Sequence, residues 1–329
     1  MSGSGGTGTS GDAATAGVAG LALSYALPVV YALQGLVGAV SDTEKELIAV
    51  ERAREYVDVR PEDDRALPAI TAALEGGLET PLLFTEPRWS PKSSSICFED
   101  ATVLYPGAAR PAVACVSLRI PAGTKLGICG ATGSGKSTLL SMLWRLVPLS
   151  SGRVFVGGED ISPLPLADLR HALACVPQEP ILVSGALRLS VDTHSEHDDA
   201  GVRAALDDVG LSYLALDTVV ADGASNLSHG ERQLVCLARA LLRRTNIIGL
   251  DEASSATDAA TDARMQGALE RGARAGTTCV IVAHRVASLR NCDLVVVMEE
   301  GRIVEGPSPP ATLIADAQSR FAAMLRAGN

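Results

Sequence analysis

Nine consecutive residues carry the clearest chemistry in the chain. Gly130, Ala131, Thr132, Gly133, Ser134, Gly135, Lys136, Ser137 and Thr138 follow the spacing G-x-x-x-x-G-K-S/T. Such a loop cradles phosphates: its glycines let the backbone turn tightly, consecutive N–H groups then face anionic oxygens, and a helix beginning at its end adds the positive pole of its dipole. Lys136 would reach the β- and γ-phosphates as a point charge, and the Ser137 hydroxyl would ligate a Mg2+ bridging them. Farther on, Asn246-Ile247-Ile248-Gly249-Leu250-Asp251-Glu252 is an apolar run ending in two adjacent carboxylates. Opposite a polyphosphate these would divide the work, with Asp251 orienting Mg2+ through its water shell and Glu252 accepting a proton from an attacking water or holding that water in line. Together these residues imply a nucleoside triphosphate site.

A phosphate loop works only between a strand and a helix. Lys125 to Cys129 is a short apolar stretch fit for a buried strand, and Leu139 to Leu146 has helical spacing. Apolar runs also predict strands at 96–99, 113–120, 152–156, 173–176, 246–251, 278–283, 294–298 and 302–304, with helical patterns between several of them. This alternation predicts a mixed α/β domain with a parallel core sheet. The early strands, joined by short turns, predict an antiparallel layer beside it. At Leu227-Ser228-His229-Gly230-Glu231-Arg232-Gln233, Ser228 and Glu231 have the spacing of a capping box before an amphipathic helix. The same helix start points free N–H groups at an incoming anion.

Composition excludes some partners. A net charge of −10 and a pI near 5.0 argue against nucleic acid, which needs a basic stripe. The seven cysteines form no C-x-x-C pair and most fall within apolar patterns, so they read as small buried hydrophobes in a reducing compartment. Residues 1–12 are dominated by Gly, Ser and Thr and are expected to be a disordered tail. From Ala13 to Val40 no residue is charged, which predicts a transmembrane helix over 13–41, with Pro28 placed to kink it. Lys45, Arg52 and Arg54 follow the span and no Lys or Arg precedes it, so the C-terminal side is expected in the cytoplasm. Residues 42–94 read as a cytoplasmic extension of that helix followed by a linker, and the globular domain is expected to occupy 95–329.

These pieces, in this order from Tyr105 to His284, resemble the ATP-binding cassette (ABC) family: aromatic loop, Walker A, Q-loop, signature, Walker B, D-loop and H-loop. The resemblance implies a P-loop NTPase fold of the ABC ATPase type, with a parallel core sheet, an antiparallel β subdomain and a helical signature subdomain. It implies that Tyr105 stacks on adenine, that Gln178 contacts Mg2+ and senses the γ-phosphate, and that Ser255 to Asp258 form the D-loop. His284 would clasp the γ-phosphate, completing with Glu252 and Lys136 the catalytic set. Ser228 and Gly230 would act on ATP bound by a partner domain, either another half-transporter or a second copy. Segments 20–27, 50–56 and 234–242 look like the last membrane helix and second nucleotide-binding domain of a multidrug-resistance-associated (subfamily C) exporter. Coupling helices of a transmembrane domain and the lipid bilayer are then further partners.

Three positions depart from the family pattern. Glu231 stands where Gln is usual and places a negative charge near a partner's triphosphate, which is expected to weaken binding or slow closure. His229 replaces a small or apolar residue. Gly249 replaces a large apolar one, at an expected cost of about 0.5 to 1 kcal/mol in strand stability. One membrane helix cannot line a translocation path, so the chain is expected to be a C-terminal piece of an exporter whose ATP hydrolysis powers transport. The alternatives are a non-transporting fragment that docks on another transporter half and a soluble cassette ATPase acting on chromosomes or ribosomes. The latter calls for coiled-coil or basic insertions that the sequence lacks.

Overall fold

The computed structural model describes residues 9–59, 62, 89–251, 259–272, 276–283 and 285–327. They fall into two units, Met1–Leu67 and Pro68–Asn329. The first contains one long helix, α1 (Thr9–Val57). It begins inside the stretch expected to be an unstructured tail, because extending a formed helix fixes one residue per new hydrogen bond and overcomes weak local propensity. Pro28 lies within it. Its described side chains are exposed, Leu21, Leu23, Tyr25 and Tyr31 all above 60%. An 18-residue window reaches a mean hydropathy of 1.7, and by length and composition this helix could cross a membrane. Past that apolar part the surface becomes charged, with Lys45 paired to Asp42 at 3.0 Å.

The second unit opens with β1 (Ile96–Val103) and β2 (Val113–Ile120), followed by β3 (Lys125–Gly130), which leads into the phosphate loop and α2 (Lys136–Leu143). Next come β4 (Ser151–Val156), β5 (Glu159–Asp160), α3 (Leu166–Ala172) and β6 (Leu173–Val176). A short strand β7 (Gly185–Ala186), helices α4 (Leu187–Val191) and α5 (Asp199–Asp208), and β8 (Val219–Val220) lead to α6 (His229–Leu242). The chain then runs through β9 (Ile247–Asp251), α7 (Ala259–Gly272), β10 (Thr278–Val282), β11 (Leu294–Glu299) and β12 (Arg302–Ser308), and ends in two short helices, α8 (Pro310–Ala315) and α9 (Arg320–Ala327).

The central sheet has the order β12-β11-β3-β10-β9-β6, parallel except for the edge strand β12. The sheet β2-β1-β4-β5 is antiparallel. Each nonglycine residue on the parallel strands must find a core on one face or the other, and the pleat sorts them. Leu126, Ile128, Ile247, Val280 and Val296 pack with α2 and the antiparallel sheet. Cys129, Ile248, Leu250, Ile281 and Val297 pack on the opposite face against α6 and its neighbours. Strand edges differ from expectation by one to a few residues, chiefly where β1 and β12 continue past irregularities in their pairing, at Glu99 and Asp100 in β1 and at the Gly306-Pro307 step in β12.

All seven cysteines are free. Four are buried as expected, and burial pushes the thiols of Cys129 and Cys292 up to about 12, so they stay protonated. Cys115 corrects the expectation: it is exposed, at φ 49°, where β2 departs from regular pairing.

Candidate functional site

Between β3 and α2 the backbone reverses through residues that tolerate few side chains. Gly130 has φ 150°, and a Cβ there would collide with the carbonyl of Met298 on the neighbouring strand. Gly135 has φ 96°, caps α2, and faces the carbonyl of Ala112 equally closely. The loop is tied by hydrogen bonds from Ser134 N to Ala131 O at 3.1 Å and from Gly301 N to Ser134 O at 3.1 Å.

Lys136 is only 4% exposed, and its Nζ donates to two carbonyls of its own loop, Gly130 at 3.1 Å and Ala131 at 3.0 Å. The Ser134 Oγ is buried without a hydrogen-bond partner. A buried cation that, among the described residues, meets neutral carbonyl oxygens, and a buried hydroxyl with unused capacity, both suit a polyphosphate, which would supply anionic acceptors to each.

The second half of the site comes from β9. Its register with β10 and β6 brings Asp251 to the carboxyl ends of the parallel strands, where ligands of open α/β sheets bind. Ser137 Oγ donates to Asp251 Oδ1 at 2.9 Å, so a hydroxyl and a carboxylate stand together at the start of α2. Two hard oxygen donors in this pairing fit a small divalent cation. The Asp251 charge, after burial, helps push the Cys175 thiol up to about 12, leaving that neighbour neutral. Gln178 lies two residues past the end of β6 and is exposed. Tyr105, 40% exposed, places its hydroxyl 3.3 Å from Thr138 Oγ1, which leaves an aromatic face beside the loop. Tyr105, Gly130 to Thr138 and Asp251 are thus gathered in one place. Glu252, the segment Ser255 to Asp258, and His284 lie outside the described residues.

Ser228 and Gly230 belong to another place, the start of α6. Ser228 is the N-cap and the capping box is complete: its Oγ accepts from Glu231 N at 3.2 Å, while Glu231 Oε2 accepts from Ser228 N at 2.8 Å and from Ser228 Oγ at 2.7 Å. Glu231 Oε1 accepts from the Tyr213 hydroxyl at 2.5 Å. These donors, Tyr213 first, hold the Glu231 carboxyl below the usual range, while burial and the carboxylate push Tyr213 up to about 12. A Cβ at Gly230 would stand 3.1 Å from Thr261 Oγ1, so a side chain there would crowd α7. Half-buried His229 follows the cap.

Two residues escaped the sequence reading. Nothing in the sequence flagged Tyr213. Trp144 had a signal in Gly249, since a glycine inside an apolar strand often marks close approach by another group. The space that a Cβ at 249 would fill holds the Trp144 ring and Leu140, so the missing side chain is replaced by packing from α2 and the expected loss from a bare strand position is offset.

A family model described as ABC transporter matches residues 113–255. ABC transporter C family member 13 of Arabidopsis thaliana is 34% identical over 94% of this chain and 21% of that protein. ATP-binding cassette sub-family C member 10 of Mus musculus is 38% identical over 89% of this chain and 19% of that protein. A solved structure of a bacterial Atm1-family ABC exporter with ATP bound superposes with a TM-score of 0.67 at 29% identity, covering 73% of this chain and 43% of that one. The chain spans about a fifth of the length of these curated relatives.

Proposed function

The chain carries an ABC transporter ATPase domain homologous to subfamily C members, and from that premise we propose that it binds Mg2+ with ATP and drives export as part of a larger membrane transporter. The observation that carries this reading is the pairing of Ser137 and Asp251 at 2.9 Å beside the buried Lys136. ATP supplies the phosphoanhydride whose cleavage releases free energy, and Mg2+ neutralises charge on its oxygens.

Lys136 trades its two loop carbonyls for phosphate oxygens. Ser137 and Asp251 hold the metal, with Gln178 as a further ligand. Tyr105 offers its ring to the base. Glu252 takes the proton of the attacking water and His284 holds the γ-phosphate end; both roles rest on the family resemblance.

Ser228 and Gly230 complete the site of a second nucleotide-binding domain, so an isolated copy binds ATP and turns it over slowly until it pairs. The apolar reach of α1 supports a membrane span, with the ATPase domain on the cytoplasmic side. Exposed Ile181, Val183, Leu189 and Val219 surround the β7–β8 ribbon. They offer an apolar surface to the coupling helices of a transmembrane domain. Glu252→Gln tests the assignment. ATP binding is expected to persist while turnover falls by about 100-fold or more, and unchanged turnover would falsify the role of Glu252.

A further inference from the structure

We propose that Trp144 is a positioning residue for the metal-holding pair Ser137 and Asp251, and that Gly249 is the socket through which it acts. The inference rests on the reading that this pair holds Mg2+.

The pleat of β9 turns Ile248 and Leu250 into one core and Ile247 into the other. Gly249 and Asp251 share the face of Ile247, which is the face covered by α2. Ser137 and Leu140 on α2 and Trp144 at its C-cap follow one another at spacings of three and four, along the same side of the helix. One helix stripe therefore meets one strand face at two points. At the first, Ser137 Oγ donates to Asp251 Oδ1 at 2.9 Å. At the second, Leu140 and Trp144 cover Gly249 so closely that an added Cβ would stand 3.0 Å from Leu140 Cδ1, 3.0 Å from Trp144 Cζ3, and nearer still to Trp144 Cη2.

Only hydrogen at position 249 lets α2 sit this deep. The indole is 4% exposed, and its Nε1 is buried without a hydrogen-bond partner. The ring is therefore placed by shape and not by its polar atom, and the atoms that fill the socket belong to its second ring, which phenylalanine lacks.

The helix end that bears Trp144 is also held from outside. Arg170 Nε donates to Trp144 O at 3.1 Å, and Arg145 donates to Ile161 O at 3.3 Å. The backbone at this end is thus anchored, and the indole it carries is enclosed in the core with little room to swing away from a side chain at 249. The two-turn helix must tilt as a unit, and its other end carries Ser137. A hydrogen bond that begins at 2.9 Å weakens steeply with such a tilt.

The test is equilibrium binding of ATP to the full chain in detergent, once in EDTA and once in Mg2+. For the wild type, Mg2+ is expected to tighten binding. In Gly249→Ala, affinity in EDTA should stay within about twofold while the Mg2+-dependent gain falls about tenfold. The double variant Gly249→Ala/Trp144→Phe, which trades the clashing ring atoms for the new methyl, should recover the gain to within about threefold, the compensation expected of a volume-conserving pair in direct contact.

Equal losses in EDTA and Mg2+, an unchanged gain, or no recovery in the double variant would overturn the proposal. If Gly249→Ala does not fold, Trp144→Phe alone decides: it leaves the socket part empty and should reduce the gain with EDTA affinity kept, and an undiminished gain rejects the idea. A wild type with no Mg2+-dependent gain removes the metal reading and this inference together. A gain that survives Gly249→Ala removes this inference alone.

Discussion

The phosphate loop and the start of α6 are both helix N-termini built to face an anion, and they meet that need in opposite ways. At the loop, among the described residues, no carboxylate touches Lys136, whose ammonium is held by the carbonyls of Gly130 and Ala131, and Ser134 Oγ is buried with its capacity unused. At α6 the anion is already present, since the Glu231 carboxylate takes the N–H and O–H of Ser228 and the hydroxyl of Tyr213. The first end is poised for a ligand and the second is satisfied within the chain. A helix terminus becomes a strong external anion site only when the protein withholds its own capping carboxylate. Two ends of one ATPase domain can therefore differ in how readily they engage a triphosphate.

Lys136→Ala attacks the open end and should have the largest effect. Losing charge-assisted hydrogen bonds to phosphate costs about 2.7 kcal/mol, or ~100-fold in ATP affinity by titration calorimetry. The melting temperature should hold or rise, because among the described residues the buried ammonium meets two neutral oxygens and no carboxylate. A loss under about threefold would mean the loop does not bind through this cation. Glu231→Gln attacks the closed end. The amide keeps an acceptor for the capping box and removes the charge. ATP-driven association of two copies, followed by sedimentation velocity, should then occur at about tenfold lower protein concentration, because a like charge no longer faces the partner's triphosphate. Weaker or unchanged association would show that the carboxylate does not oppose pairing.

The two ends were also unequally legible in the sequence. The loop could be read residue by residue because its geometry is local: glycines at fixed offsets set the backbone, and a strand and a helix adjoin it. The capping box was legible for the same reason, with Ser228 and Glu231 three positions apart. What joins distant segments was not. Tyr213, in the connection between α5 and β8, reaches Glu231 at the start of α6, and Trp144 meets Gly249 where the end of α2 packs on the sheet face, through tertiary packing that no periodicity encodes. Gly249 shows how a departure can mislead: taken alone it is a weak point in a strand, and in the fold it is the space a tryptophan occupies. The positions of the core strands were legible from apolar runs, and a parallel core sheet from their alternation with helical patterns, whereas the strand order came only with the fold. The ends of β1 and β12 were not legible, since both strands continue past register shifts that break the simple alternation of a strand.

The smallest effects probe the closed end without ligand. Ser228→Ala removes the N-cap acceptor and should destabilise the domain by about 1 kcal/mol, visible as a fall of roughly 2–4 °C in the thermal midpoint. Glu231 adds a pH signature. Tyr213 and Ser228 stabilise its ionised form, so its folded pKa lies below the unfolded value of 4.5. A depressed carboxyl pKa contributes stability that is complete above about pH 4.5 and fades as the pH falls through the lower folded value. The gap in thermal midpoint between the wild type and Glu231→Gln should therefore be constant near neutrality and shift against the wild type in that acidic window. Tyr213→Phe should lessen the shift by removing the first of the donors that hold the carboxylate charged. A gap that stays constant through the acidic window would mean Glu231 gains no ionic stabilisation at this cap, and the contrast between the two helix ends would rest on geometry alone.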